Sequence, residues 1–356
     1  MSSITNFPNG ISSMGMPVLP SGLFGYNSVA WFVDPLNGAD GNDGQSPSTA
    51  FQTLYRAQYA AGEGRNDTVY LIGSMTAASS TAGTARLSLA NAVAAWNSSG
   101  QTGSQPTTGT LTWAKKGVHL IGVCAGSNSP RARLAPPTGT YTQATFNSGN
   151  FVVVSATGCR FANIEIYNGF STGGTNQIAW TDTGGRNQYD NCAFLGMNDA
   201  ASGADTGSRS LKVGSAGSGE NRFNNCIIGG DTTDRSVANA SLELAGGTPR
   251  NSFNGCIFPS RATNAGVLGI LGTGASCVDR WNEFNGCRFY NDIKSGATTM
   301  TVLASFTSAS PGGDLVFNNC VAVGITKFGD TNALANSYIS MSAASASAGG
   351  LAVNPS

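Results

Sequence analysis

Apolar residues along this chain come in short bursts separated by Asn- and Gly-rich stretches, and the bursts repeat. From Arg222 the chain reads RFNNCII, and near copies follow as SFNGCIF from Ser252, EFNGCRF from Glu283 and VFNNCVA from Val316. Two blurred copies precede them, RFANIEI from Arg160 and QYDNCAF from Gln188. Aligned on the cysteine, one column holds Ile164, Cys192, Cys226, Cys256, Cys287 and Cys320, at steps of 28, 34, 30, 31 and 33 residues by subtraction. Three positions earlier stands an aromatic in every copy: Phe161, Tyr189, Phe223, Phe253, Phe284 and Phe317. Two positions earlier stands Asp190, Asn224, Asn254, Asn285 or Asn318, with Ala162 breaking the column in the first copy. One position earlier the residue is Asn or Gly throughout, and two positions later it is apolar.

A period near 30 residues marks a solenoid, in which each unit buries its apolar face only against its neighbours. Helical units do not fit, because the units are Asn- and Gly-rich with short alternating apolar runs. A second strand precedes each motif, read as Ile178–Trp180, Leu211–Val213, Leu242–Leu244, Leu268–Leu271 and Val302–Leu303. Earlier strands lie in DTVYLIG from Asp67 and GVHLIGV from Gly117, with an excursion over about 76–110 that carries a helix near Leu87–Trp96. Each unit is then one coil of a parallel β-helix, stacked about 4.8 Å from the next. The aromatic and the cysteine stand three apart, so a straight strand of period two cannot turn both inward. A corner between them can, and Asn and Gly are the residues that tolerate the left-handed backbone a tight corner needs. Lys212 and Glu243, each set between inward apolar residues, are expected to face outward on neighbouring coils. So is the column one after the cysteine, where Ile227, Ile257 and Val321 give an aligned apolar stripe that predicts an oligomer interface.

Stacked asparagines at one corner resemble the asparagine ladders of right-handed parallel β-helix proteins, and right-handedness is what that resemblance implies. Ahead of the coils, WFVDPLNGADGNDGQSPSTAFQTLYRAQ (31–58) reads as a strand at Trp31–Val33, a turn region at Asp34–Gln45, and a helix opened by Ser46–Thr49 with Phe51, Leu54, Ala57 and Gln58 on one face. It resembles the N-terminal cap of β-helix proteins found in tailed-phage virions and in some surface polysaccharide lyases. Residues 1–30 hold no charged side chain, and Pro8, Pro17 and Pro20 favour an extended path. Phe7, Ile11, Met14, Met16, Leu19, Leu23 and Phe24 make the segment adhesive, so it reads as an arm that orders on a partner, similar to the N-terminal arms of phage virion proteins. The expected organisation is all-β: an arm over 1–30, a cap with a short helix over 31–65, a right-handed parallel β-helix over 66–335 and a Ser/Ala-rich tail over 336–356.

Composition narrows the chemistry. Of 356 residues only 11% are charged, and 19 cationic side chains balance 19 anionic ones. A neutral, sparsely charged surface argues against nucleic acid or an anionic membrane as partner. No apolar run is long enough to span a bilayer. The first cationic residue is Arg56, so a secretory leader is not expected, and the Asn-x-Ser/Thr sequons at Asn66, Asn97 and Asn239 read as chance matches.

Five of the eight cysteines share a column whose parallel Cβ directions suit disulfides poorly, so they read as reduced, buried small hydrophobes. With His119 the one histidine, no Cys/His zinc site is expected, and no other metal or cofactor. The Asp34–Gly44 loop lacks the closing Glu of an EF-hand and reads as an Asx-turn loop. Candidate exposed acids are Glu165, Asp182, Asp199, Asp205, Asp231, Asp234, Glu243 and Asp279, with no compelling pair for a glycosidase and no basic cluster of the kind a lyase would want. No catalytic residue is therefore assigned. The resemblances imply a structural protein of a tailed-phage virion, a homotrimeric head decoration or head fibre anchored to the capsid by its arm. The alternative is a tailspike or receptor-binding protein that binds or cleaves host surface polysaccharide.

Overall fold

The computed structural model describes residues 11–13, 16–19, 28–73, 83–124, 131–137, 139–140, 145–146, 149–169, 171–172, 176–214, 218–292, 296–335, 337–339 and 351–352. Three long sheets, parallel along the coils, wrap one apolar core, so the fold is a parallel β-solenoid of about six turns. Sheet one collects the strands that precede each motif: Ile178–Asp182, Arg209–Val213, Ala240–Ala245, Leu268–Thr273 and Met300–Phe306, flanked by Leu111–Trp113, Asn150–Val154 and Ile325–Gly329. Sheet two carries the aromatic half of each motif and sheet three the half after the corner. Sheet two is headed by Ala30–Val33, Thr68–Ile72 and His119–Val123.

Register follows the sequence columns. Phe223 pairs with Phe253, Phe253 with Phe284 and Phe284 with Phe317 across sheet two. Their rings are buried and stack nearly face to face; Phe253 lies 4.7 Å from both Phe223 and Phe284, with interplanar angles of 5°. Parallel in-register strands force this stacking, since identical side chains recur at the coil spacing.

The corner between sheets two and three has the expected backbone. Asn163, Asn191, Asn225 and Asn319 sit at φ between 51° and 54°, with Gly255 at 62° and Gly286 at 60° in the same column. One residue earlier the asparagines form a ladder. Asn254 Nδ2 donates to Asn224 Oδ1 at 2.9 Å, Asn285 to Asn254 at 3.0 Å and Asn318 to Asn285 at 2.7 Å, and Asn224 donates to Asp190 at 2.8 Å. Just past the corner, each stacked thiol donates to the carbonyl of the preceding coil's aromatic, Cys256 to Phe223 and Cys287 to Phe253 among them. All eight cysteines are free; Cys124 and Cys320 are half-buried and the other six buried. Burial keeps the Cys159 thiol protonated, pushing its pKa up to about 12.

A second ladder lies five residues before each cysteine. Asn187, Asn221, Asn251 and Asn282 are buried, and each side-chain oxygen accepts the backbone N–H one coil earlier: Cys159 N to Asn187 at 2.8 Å, Asn187 N to Asn221 at 2.9 Å, Asn221 N to Asn251 at 3.0 Å and Asn251 N to Asn282 at 3.0 Å. It supplies acceptors where the turn from sheet one to sheet two would otherwise strand buried donors.

The cap region differs from the sequence expectation in one respect. The stretch after Ser46 is two short helical pieces, the 3-10 turn Pro47–Thr49 and the α-helix Leu54–Ala60. Between them Phe51 bridges Val33 in strand fashion, so Phe51 and Leu54 do not share a helical face. Thr53 restarts the helix as N-cap by accepting from Arg56 N. The excursion helix spans Leu89–Ser99, capped by Ser88 and closed by left-handed Gly100. In the arm, Ile11–Ser13 and Met16–Leu19 pair antiparallel, so this part doubles back instead of running straight. Phe7, Met14, Leu23 and Phe24 lie outside the described residues.

Candidate functional site

Sheet one turns its inward column, Trp180, Leu211, Leu242 and Ile270, into the core. Period two then sends Thr181, Lys212, Glu243, Leu271 and Ser305 outward, in register from coil to coil. Part of this outer face is covered by the excursions that return from sheet three. Ser210 and Ser241 are buried beneath them, Ser210 Oγ accepting from Gly196 N at 3.2 Å and Ser241 Oγ from the buried Arg235 Nη1 at 2.9 Å. The uncovered part is a groove of about 490 Å³ lined by Asn150, Asn176, Thr181, Thr183, Arg209, Lys212 and Glu243 with Ile178, Gly207 and Gly214.

Glu243 is its centre. Oε2 accepts from Arg209 Nε at 2.8 Å, and Oε1 takes Lys212 Nζ at 3.1 Å and the Thr273 hydroxyl at 2.9 Å. Burial pushes this carboxyl up, but the two cations and the hydrogen bonds outweigh burial and hold it below its ordinary value. One coil below Lys212, the Thr181 hydroxyl donates to Asn150 Oδ1 at 2.6 Å. The surface therefore offers a cation, hydroxyls, an amide and a fixed carboxylate side by side, the mix that hydrogen-bonds a polyhydroxylated ligand. Glu243 is the one carboxylate among the lining residues, so the groove holds no pair of acids for general acid and base work.

Several sequence expectations change here. Lys212 and Glu243 do share a face and a register, but Arg209 joins them and Glu243 is buried, so they are not an exposed surface pair. A basic cluster beside an acid, not expected from the repeats, is present. Asp182 is not exposed either: it is fully buried, accepting from Tyr189 Oη at 2.6 Å, Asn187 Nδ2 at 3.0 Å and the amides of Gly184 and Gly185. Burial raises its pKa. Asp199 is buried as the N-cap of Ala200–Gly203. Glu165 does face outward, in an ion pair with Arg133 at 2.7 Å, and Asp234 pairs with Arg261 at 2.9 Å. In the Asp34–Gly44 loop the carboxylates serve the local chain: Asp34 accepts from Leu36 N and Asn37 N, Asp43 from Gln45 N and Thr49 Oγ1, and Asp40 from Gln52 N and Thr53 N.

On sheet three the column Glu165, Ala193, Ile227, Ile257, Arg288, Val321 is in register. Ala193 is buried, Ile227 and Ile257 are half-buried, and Val321 is 50% exposed. Tyr290 and Val323, paired in register beside it, extend the exposed apolar surface.

No protein-family model and no curated protein matches this chain. Solved structures do. The fold is similar to that of pectate lyase Pel9A, with TM-score 0.52 and 15% identity over 83% of this chain; the chain spans 63% of the length of that lyase. A deglycosylated pectin methylesterase from Aspergillus niger matches with TM-score 0.50 and 12% identity, covering 91% of this chain and 83% of its own. A pectin methylesterase in complex with hexasaccharide VII matches with TM-score 0.50 and 14% identity, covering 86% and 81%. The fold shared with these structures is the right-handed parallel β-helix.

Proposed function

We propose that this chain is a polysaccharide-binding β-helix of the tailspike or receptor-binding kind, with a glycan lying across the coils in the open groove of sheet one. The observation that carries this reading is Glu243 fixed between Arg209 and Lys212 on that face, with Thr181 two coils and Asn150 three coils from Glu243. A carboxylate so held is a rigid acceptor for sugar hydroxyls, with Lys212 beside it and Thr181 two coils further along the groove as polar partners. The fold is one on which a pectin methylesterase has been solved with a hexasaccharide. With a single carboxylate in the groove, already engaged by two cations, the activity proposed is binding without hydrolysis.

The test is a panel of bacterial surface polysaccharides immobilised against the purified full chain. At least one should be retained, Lys212→Ala and Thr181→Ala should each weaken retention at least tenfold, and no new reducing ends should form. Absence of binding across the panel, or binding indifferent to both substitutions, would overturn the reading.

A second reading is favoured by the exposed apolar surface at Tyr290, Val321 and Val323. It is an assembly role, in which copies pack as a homotrimer through sheet three and the arm over 1–30 anchors them to the capsid or another protein of a phage virion, as a head decoration or head fibre. Deleting residues 1–27, which spares the strand Ala30–Val33, should leave the circular dichroism unchanged and abolish incorporation into particles; retention on particles would count against it.

A further inference from the structure

A second cluster lies away from the sheet-one groove, along the turn that leads from sheet one into sheet two. Its column, six residues before each reference cysteine, reads Arg186, Glu220, Arg250 and Trp281 on successive coils. Arg186 Nε donates to Glu220 Oε2 at 2.6 Å, and Arg250 pairs with the other oxygen of Glu220. The backbone of Arg250 donates to the carbonyl of Trp281 at 2.7 Å, which places the indole one coil further on. With Gln188 and Arg222 these residues line a shallow depression of about 470 Å³.

Three features mark it as more than a solvated edge. Arg186, Glu220 and Arg250 all adopt left-handed backbone, at φ of 56°, 63° and 55°. The same column in the first coil holds Gly158 at φ 71°, the residue that takes this conformation without strain. Long charged side chains kept at three strained positions in a row point to a use for those side chains. The charge is also unbalanced: three arginines face one glutamate in a chain that is neutral as a whole. Arg222 is exposed and its side chain makes no hydrogen bond or ion pair among the described residues. Finally, Trp281 is 43% exposed and stacks on no described ring.

We infer that this depression binds an acidic saccharide. The sugar's apolar face lies on the Trp281 indole, and its carboxylate is received by Arg222 and the free edges of Arg186 and Arg250. An indole gives a flat apolar platform with a polar tip, and guanidinium groups match a carboxylate fork. Glu220 holds Arg186 and Arg250 in place and takes no part in the contact. The site is independent of the sheet-one groove.

Titrating the full chain with a hexuronate trisaccharide carrying free carboxylates, followed by tryptophan fluorescence and calorimetry, tests the inference. The free acid should bind and perturb the fluorescence, and its methyl-esterified form should bind at least tenfold more weakly. Trp281→Ala should abolish the fluorescence change. Trp281→Ala and Arg222→Ala should each lower affinity at least tenfold with circular dichroism unchanged, and Lys212→Ala should leave affinity as it was. The inference fails if acid and ester bind alike, if inorganic phosphate at matched ionic strength displaces the sugar, if neither trisaccharide binds, or if Lys212→Ala is the substitution that removes binding.

Discussion

Asn251 Oδ1 accepts the backbone N–H of Asn221 at 3.0 Å, one coil away, and both residues are wholly buried. Asn251 Nδ2 donates in turn to Asn282 Oδ1 at 2.8 Å and to the carbonyl of Thr248 at 3.0 Å. This side chain therefore does for the turn what a strand neighbour does for a sheet: it satisfies main-chain groups that water cannot reach.

Its removal should be costly. Asn251→Ala strands the Asn221 amide in the interior, a loss of about 1–3 kcal/mol for an unsatisfied buried group. Asn254→Ala breaks the corner ladder, where Asn254 bridges Asn224 and Asn285, but those groups are only part-buried and water can replace it. Denaturant midpoints should therefore fall clearly further for Asn251→Ala than for Asn254→Ala. Equal or reversed shifts would show that the buried ladder is not the stronger one.

Phe253 stands mid-column, stacked on both sides. Phe253→Ala opens a cavity between two rings that parallel strands hold apart, so collapse is restricted. A loss of about 3–5 kcal/mol is expected in equilibrium unfolding. A loss under about 1 kcal/mol would contradict the stack.

The coil register was legible because the aromatic column and the apolar columns after the corner are also lines of backbone partners, so one repeated motif fixes sheets two and three together. The buried ladder at Asn187, Asn221, Asn251 and Asn282 was equally periodic, yet it escapes a reading that begins at the aromatic two residues later. The site was harder. Arg209 begins a strand whose next inward residue is Leu211, so parity alone would place it inside; its length lets the guanidinium reach Glu243, 34 residues away in sequence. Two short helical pieces in place of one also escaped, because the Phe51 bridge to Val33 is a tertiary contact that overrides the local helix signal.

His119 offers a clean pH test because it is the one histidine in the chain. It is buried, its Nδ1 accepts from Arg160 N at 3.0 Å, and burial followed by the Arg160 charge lowers its pKa to about 4. An unfolded histidine titrates near 6.5, so between these values the unfolded chain binds the extra proton. This contribution to stability is complete above pH ~6.5 and is lost as pH falls towards 4. Asp182, raised by burial, acts in the opposite sense, so the comparison must be with a histidine variant. Between pH 7 and 5 the parent should lose on the order of 1–2 kcal/mol more than His119→Gln. Parallel pH profiles would mean that His119 titrates in the fold as it does in the unfolded chain.

Removing Arg209 should expose what it balances. Glu243 is buried with Arg209 and Lys212 as its cations, and loss of one partner of a buried pair typically costs about 3–5 kcal/mol. Lys212 and Thr273 remain in Arg209→Ala, so the expected loss is at the lower end of that range. Glu243→Gln in the same background removes the uncompensated charge and should recover part of it. No recovery in the double variant would mean that Arg209 acts through packing alone.

The outer face of sheet three bears on assembly. Ile227 and Ile257 pair in register and are half-buried in the single chain, while Val321, at the end of the column, is largely open. Arg288 interrupts the stripe between Ile257 and Val321, so any subunit contact there must leave the guanidinium at its rim or give it a partner. Tyr290 and Val323 lie beside Arg288 and Val321 and widen the apolar surface at that end. If copies pack through this face around a threefold axis, the double variant Ile227→Asp, Ile257→Asp places unpaired carboxylates in the contact, a steep cost without solvent. Val321→Asp with Val323→Asp tests the open end without touching the half-buried pair. Light scattering should report a trimer for the parent chain and folded monomers for both double variants. A parent that is monomeric, or variants that remain trimeric, would remove sheet three as the subunit interface.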